Sequence, residues 1–377
     1  MLLLVGIVSI VLVIGITFYL YTFIKRIFET FNVNTNKKRI KIILGIISVF
    51  LGVISINMFS FLSIIIIHII MFALIIQLIN FVLKILLKNK YKEGFNFWKK
   101  VYGSGVIPIL LSVVLLIFGY INLNNIVKVE YDIYTDKDIR EEGYRIALIA
   151  DVHFGVSLNY DELLRVCNDI TDNNVDLVVL CGDIVDDSTT KEGMEKSFRA
   201  LSTIKSKYGI FYVYGNHDKP SNIIPYKYTE EDLMNVIEDN KITILDDEVY
   251  KINNDFVIIG REDRSFGLNG SRMSIEQLIN GVDKNSFILA LDHQPNEYKE
   301  NKDAGTDLIL SGHTHGGQLW PINYIDKLFK INDSVYGYTR VANNTQAIVT
   351  SGLAGWRYPV KTSAPAEYVI INIKNKN

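Results

Sequence analysis

Apolar residues follow two rhythms along this chain. Up to about residue 125 they come in long stretches, roughly 2–24, 42–60, 61–83 and 103–122, each near the ~20 residues that a membrane-crossing helix needs. The second and third are almost continuous. Asn57-Met58-Phe59-Ser60 is the place for a tight hairpin between them, because one span of ~40 residues exceeds the thickness of a bilayer. Beyond residue 143 the runs shorten and alternate. Tyr144–Ala150, Asp176–Cys181 and Ile210–Tyr214 read as strands, while Tyr160–Asp172, 192–205 and Glu230–Glu238 read as helices, the first capped by Asn159 and the last by Thr229. Farther on, 242–245, 248–252, 255–260, 286–292, 307–311, 346–351 and 367–373 read as strands, with Ser274–Asn280 the clearest helix. Such alternation predicts an α/β architecture that grows richer in strand toward its end.

Charge divides the chain at the same place. Residues 1–125 hold 12 Lys and Arg against Glu29 and Glu93, whereas residues 126–377 hold 27 against 39 acidic residues, a formal −12 hidden inside an overall −2. Two domains are expected: 1–125, a transmembrane anchor of about four spans, and 126–377, an acidic domain facing water. Lys25, Arg26, Lys37, Lys38, Arg39 and Lys41 lie between the first two spans, and Lys84, Lys88, Lys90, Lys92, Lys99 and Lys100 between the last two. Basic loops stay cytoplasmic, so the chain reads as multi-pass with everything after residue 122 extracytoplasmic. The first stretch has no basic segment before it and three spans follow, so it reads as an anchor rather than a cleaved signal. His68 is the one ionisable group deep in a span, and a neutral ring bonded to a neighbouring helix is its simplest role. The acidic domain has no basic run to hold a phosphate backbone, so no nucleic-acid partner is expected. Cys167 and Cys181 are the only cysteines, and both read as small buried apolar residues rather than a disulfide.

Five strands in turn end in groups able to hold a cation. Asp151-Val152-His153, Gly182-Asp183, Gly215-Asn216-His217-Asp218, Asp292-His293 and Gly312-His313-Thr314-His315 each follow an apolar run directly, at the carboxyl edge where α/β sheets collect ligands. Five of the six histidines fall in these clusters. One histidine after a strand is ordinarily a core or surface residue. Five of them, interleaved with Asp151, Asp183 and Asn216, make a set of imidazoles and carboxylates suited to Mn, Fe or Zn, where Mg or Ca alone would call for oxygen donors.

In order, the blocks Asp151-Val152-His153, Gly182-Asp183-Ile184-Val185-Asp186, Gly215-Asn216-His217-Asp218, His293 and Gly312-His313-Thr314-His315 resemble the calcineurin-like metallophosphoesterase superfamily over about residues 144–373. The resemblance implies a four-layer α/β/β/α sandwich, here preceded by the four-helix transmembrane region, and two divalent metal ions. It implies that Asp151, His153 and His315 hold the first ion, Asn216, His293 and His313 the second, with Asp183 bridging. His217 would then face the substrate and protonate the leaving oxygen, and Asp218 would hold its ring. Asp186 is implied to support a ligand. Gly182, Gly215, Gly312, Gly316 and Gly317 stand where backbone must turn sharply or approach the ions.

A finer resemblance is to bacterial membrane-anchored members, a group similar to some lipid-A-pathway pyrophosphatases that act on UDP-diacylglucosamine. Gly312-His313-Thr314-His315-Gly316-Gly317-Gln318, Ser351-Gly352 and Ala364-Pro365-Ala366-Glu367 carry it, with Ala366 where proline is usual. The activity implied is hydrolysis of a phosphomonoester, phosphodiester or pyrophosphate, and the membrane tether makes a lipid-linked phosphate a natural substrate. The rival reading is a non-catalytic membrane sensor or scaffold that keeps the fold, against which the intact ligand set with His217 and Asp218 argues. A transporter reading is opposed by the scarcity of charged or helix-breaking residues inside the spans. Loops 218–228, 261–272 and 318–340 are where substrate choice would reside.

Overall fold

The computed structural model describes residues 2–57, 60–94, 96–220, 225–266 and 272–376. Met58 and Phe59 of the expected hairpin, and parts of the 218–228 and 261–272 loops, lie outside the described residues. The chain forms two compact units, 1–118 and 119–377.

The first unit is helical, with α1 (Leu2–Thr30), α2 (Lys38–Ser55), α3 (Phe61–Gly94), α4 (Asn96–Ser104) and most of α5 (Val106–Asn124). Among the described residues, three stretches are long and apolar enough to cross a membrane, Ile7–Thr30, Phe61–Lys88 and Val106–Asn124. The expected fourth, α2, begins on Lys38, Arg39 and Lys41, which leaves about 14 uncharged residues, or ~21 Å of helix, short of a ~30 Å hydrocarbon core. Helix α3 breaks at Lys88, whose φ of 39° and ψ of −111° are not helical. His68 Nδ1 lies 2.8 Å from the carbonyl of Ile64, one turn back in its own helix.

The second unit holds two six-stranded sheets. In the first the order is β1 (Val127–Thr135), β12 (Glu367–Asn375), β2 (Tyr144–Ile149), β3 (Leu177–Cys181), β4 (Ile210–Val213) and β5 (Thr243–Ile244); in the second it is β10 (Gly337–Arg340), β11 (Gln346–Val349), β9 (Leu308–Ser311), β8 (Phe287–Leu291), β7 (Phe256–Gly260) and β6 (Glu248–Lys251). Strands β2 to β5 are mutually parallel, as are β7, β8, β9 and β11, so each sheet presents one carboxyl edge. Residues of both sheets share a core: Ile146, Val179 and Phe211 pack with Phe256, Leu289 and Leu310. The next residues along, Ala147, Val178 and Tyr212, turn to the opposite face, where α6 (Tyr160–Asp172), α7 (Lys191–Leu201) and α8 (Glu230–Asp239) cover them. Helices α9 (Ile275–Ile279) and α10 (Tyr298–Ala304) cover the second sheet's outer face through Ile279 and Tyr298. Burial on both faces is why these strands read as unbroken apolar runs.

Capping chemistry starts the helices where the sequence places them. Asn159 and Thr229 each form a reciprocal capping box, with Glu162 and Asp232 respectively. Both cysteines are buried and free. Elements absent from the sequence reading are α4, β1, β10, α10 and α11 (Ile322–Phe329), the last inside the 318–340 stretch expected to be loop.

Leu289 is fully buried in the core common to both sheets. Leu289→Ala should cost about 2–5 kcal/mol and lower the thermal midpoint of the detergent-solubilised chain clearly more than Asn159→Ala, which removes a cap worth about 1 kcal/mol. Equal shifts would mean that the two sheets do not depend on that core.

Candidate metal centre

The loops that leave β2, β3, β8 and β9 bend within two residues of the strand end. Asp151, His153, Asp183, His313 and His315 all have left-handed backbone, with φ of 50°, 38°, 54°, 70° and 50°, each costing of order 1–3 kcal/mol. Hydrogen bonds between loops hold them there. Asp151 N–H donates to the Gly182 carbonyl at 3.0 Å, and the N–H groups of Val152 and His153 donate to that of Asp183 at 2.8 and 3.1 Å. His313 N–H reaches both oxygens of Asp151 at 3.0 Å. Gly215 has to be glycine because a Cβ there would stand 2.2 Å from Asp183 Oδ1.

These turns gather the expected residues into two groups. Donor atoms of Asp151, His153 and His315 lie within 4.8 Å of one another, and so do those of Asp183, His293 and His313. Asp183 Oδ2 sits 3.2 Å from His293 Nε2 and 3.7 Å from His153 Nε2, so it lies between the groups. Asn216 joins the second, its Oδ1 2.8 Å from His313 Nδ1.

The ring orientations test whether cations fit. Nδ1 of His153 faces Asp186 Oδ2 at 3.2 Å, Nδ1 of His293 the Cys181 carbonyl at 2.8 Å, and Nδ1 of His315 the Ala354 carbonyl at 3.2 Å. An oxygen of these kinds only accepts, so each Nδ1 carries the proton and each neutral ring keeps a lone pair on Nε2. His153 Nε2 and His315 Nε2 then face each other at 3.3 Å, and the buried His293 Nε2 has no well-aligned hydrogen-bond partner among the described residues, Asp183 Oδ2 standing 3.2 Å away. Apposed lone pairs need positive charge between them. A cation bonded to two imidazoles at the usual ~2.1 Å would span such a gap. Asp151 and Asp183 are 0 and 1 % exposed, and among the described residues their ion-pair partners are histidine rings alone. Burial pushes the His313 ring down to about 4 and His315 well below the ordinary range, which keeps both neutral as ligands must be. Against burial, Asp186 and Asp183 raise His153, and Asp183 raises His293 well above that range, so the carboxylates draw positive charge, a proton or a cation, to those two rings. The donor set therefore fits two divalent ions.

His217 lies beside this cluster rather than in it. Its ring centroid is 5.6 Å from that of His153 and 5.1 Å from that of Trp356, on which it stacks. Burial lowers its pKa, the Asp183 charge opposing. Asp218 does not hold that ring, contrary to expectation. One carboxylate oxygen accepts the N–H groups of Asp183 and Gly215 at 2.7 and 2.6 Å, and the other those of Ile184 and Val185 at 2.8 and 3.1 Å. Four backbone donors occupy the carboxylate, which clamps the β3 loop to the β4 loop. Asp186 supports His153, and that ring with Ser188 holds its carboxyl well below the usual range in spite of burial. Asp187 pairs with Arg357 at 3.2 Å.

Two residues nearby, Trp356 and Lys361, went unread, and Gln318, named in the block that carries the second histidine pair, had no role assigned. Trp356, beside His217, and Gln318, whose amide donates to the Trp356 carbonyl at 3.1 Å and accepts from its N–H at 3.0 Å, shape the 356–360 loop. Lys361 is fully buried, its Nζ donating to the carbonyls of Ser351 and Gly352, and burial takes it down to about 8. A single lysine in irregular chain has no pattern that would flag it. Glu367, in the flagged terminal block, accepts from Tyr336, Thr350 and Ser351 N–H.

Residues 144–317 match the family described as calcineurin-like phosphoesterase. An uncharacterised metallophosphoesterase of Bacillus subtilis is 33% identical over 196 residues, covering 49% of this chain and 67% of that protein. One from Helicobacter pylori strain J99 is 30% identical over 257 residues, covering 66% of this chain and 64% of its own. A transmembrane protein with metallophosphoesterase domain from Danio rerio is 26% identical over 286 residues, covering 72% and 63%. The chain thus spans just under two thirds of the length of the Helicobacter and Danio relatives.

The clamp generates a prediction that differs from a ring-orienting role. Asp218→Asn sets an amide donor against two backbone donors and forfeits hydrogen bonds worth about 1.5–3 kcal/mol each. Thermal midpoint and bound metal should fall together in the purified variant. Unchanged stability with an altered pH–rate profile would instead assign Asp218 to the His217 ring.

Proposed function

The chain belongs to the calcineurin-like phosphoesterase family, and on that premise we propose that it is a membrane-anchored, two-metal phosphoric ester hydrolase. The observation that carries this reading is the convergence of imidazole lone pairs on two buried carboxylates, Asp151 and Asp183, the second lying between both donor groups. In it, Asp151, His153 and His315 hold one ion, Asn216, His293 and His313 the other, and Asp183 bridges. Manganese, iron or zinc suits the mixed nitrogen and oxygen donors. Two such ions supply activated water near neutral pH and neutralise charge on the phosphoryl oxygens.

The chain's own groups do the remainder. His217 stands next to the centre with its backbone N–H tied to Asp183 at 2.8 Å, which supports reading its ring as the group that protonates the leaving oxygen. Trp356 packs against its face and keeps water from that side. Asp186, through His153, fixes a ligand's tautomer. The four-layer sandwich we assign to residues 126–377 is supported by the core common to both sheets and the helices outside each. Residues 1–125 act as the anchor. A phosphomonoester, phosphodiester or pyrophosphate is the substrate class, and tethering to a bilayer favours one linked to lipid.

Topology follows from how many helices cross. If α2 crosses with α1, α3 and α5, both basic loops are cytoplasmic and the catalytic unit is extracytoplasmic; if α2 does not, the catalytic unit lies on the same side as the Asn34 loop.

Asp183→Asn or His313→Ala should abolish chelator-sensitive hydrolysis and lower metal content, and full activity in either would end the assignment. His217→Ala should keep both metals while turnover falls by roughly 10²–10⁴-fold, less for esters with a nitrophenol leaving group; a variant that lacks metal would make His217 a ligand. Reporters inserted near Asn34 and at Asn343 should read the same side, because Lys38, Arg39 and Lys41 leave α2 too short to cross. Opposite sides, cytoplasmic and extracytoplasmic, would make α2 the fourth span.

A further inference from the structure

Helix α11 has its polarity reversed. Its inward residue is Asp326, 7 % exposed, which accepts from Asn332 through N–H at 3.1 Å and Nδ2–H at 2.6 Å. Asn323 also faces inward, packed so tightly that a Cβ on Gly317 would lie 2.6 Å from its Cα. The outward arc carries Ile322, Tyr324, Ile325, Leu328 and Phe329, and Ile331 follows, with Leu328 75 % and Phe329 71 % exposed. At 100° per residue the five helical positions fall within one half of the helix circumference. A surface helix facing water arranges the two kinds of residue the other way round, and a contiguous exposed apolar face of this size calls for an apolar partner.

Two further facts choose the partner. The same chain carries three helices long and apolar enough to cross a membrane, so a lipid surface is always within its tether. The exposed Lys327 lies beside the apolar arc and the exposed Lys330 follows the helix as its left-handed C-cap, placing cations at the edge and end of the face as on helices that lie in anionic headgroups, and Tyr324 is of the kind enriched there. We propose that α11 is a membrane-contact helix, its apolar face sunk into the headgroup–acyl boundary of the bilayer. It begins seven residues after His315. The Gly317–Asn323 packing and the Trp320 N–H to Thr362 Oγ1 bond at 2.8 Å make its root rigid, so seating α11 sets the metal loop at a fixed height above the lipid. This rests on the phosphoesterase reading for its purpose: the substrate delivered is a phosphoester at the headgroup level of a lipid.

The test uses the full chain in nanodiscs of phosphatidylethanolamine and phosphatidylglycerol. Phe329→Cys is labelled with a polarity-sensitive fluorophore, the native cysteines being buried, with Lys299→Cys on the exposed side of α10 as control. Emission at position 329 should shift to the blue and be quenched more by lipid doxyl groups near the headgroup than by deep ones, while the control shows neither. Water-like, unquenched emission would overturn the proposal. So would disulfide trapping of Phe329→Cys between two copies without lipid quenching, which would give the face to a second chain. Leu328→Ser with Phe329→Ser should abolish the vesicle-induced protection of α11 from proteolysis yet leave bound metal and thermal midpoint unchanged. If the unmodified chain turns over no soluble ester, the phosphoesterase reading fails, and the quenching still decides whether α11 meets lipid.

Discussion

Two carboxylates shut away from water beside imidazole lone pairs dictate much of what surrounds them. Asp151 and Asp183 are fully buried, and no lysine or arginine pairs with either among the described residues. An uncompensated buried charge costs several kcal/mol, and both residues, with His153, His313 and His315, add left-handed backbone on top. That burden persists only where other interactions over-determine the geometry. They do so here through main-chain bonds from one loop to the next and through the four donors gathered by Asp218. The site is held mainly by backbone, and its ligand side chains are left free to aim inward.

Each donor group draws on both sheets. Asp151 and His153 come from the first and His315 from the second; Asp183 comes from the first, His293 and His313 from the second. The apolar core between the sheets is therefore what brings the ligands together. A slip of one sheet against the other would separate each group, even with all hydrogen bonds inside each sheet intact. Stability and function meet in residues such as Leu289, which touch no ligand.

How much of this could be read from the chain depends on whether a residue's role is local. The central strands were legible because burial on both faces writes an unbroken apolar run, and α6 and α8 because Asn159 and Thr229 cap them. Strand β1 went unread although Val129, Tyr131 and Ile133 alternate with Lys128, Glu130 and Asp132; its pairing partner, β12, lies some 240 residues away, so no neighbouring element pointed to it. The donor residues follow strand ends and stand out as a series, and the structure gathers Asp151, His153 and His315, and Asp183, His293 and His313, into two groups. Asp218 was placed in the right cluster but given the wrong partner, since adjacency to His217 in sequence says nothing about direction: after a tight turn, neighbouring side chains point apart. Lys361, Gln318 and Trp356 act across folded space and leave no periodic trace.

Periodicity misleads most where water is not the only solvent. Reading a pattern assumes that apolar positions turn inward, which holds for α6, whose Leu163, Val166 and Ile170 are buried. For α11 the assumption fails: the apolar residues are outside and the carboxylate within, so the segment looks like neither a water-facing helix nor a span. Helix α2 is the complementary case. Its apolar run resembles a span until Lys38, Arg39 and Lys41 are counted against its length. In a chain that meets both water and lipid, a hydrophobic pattern tells which residues share an environment, and only their number, charge and backing partners tell which environment it is.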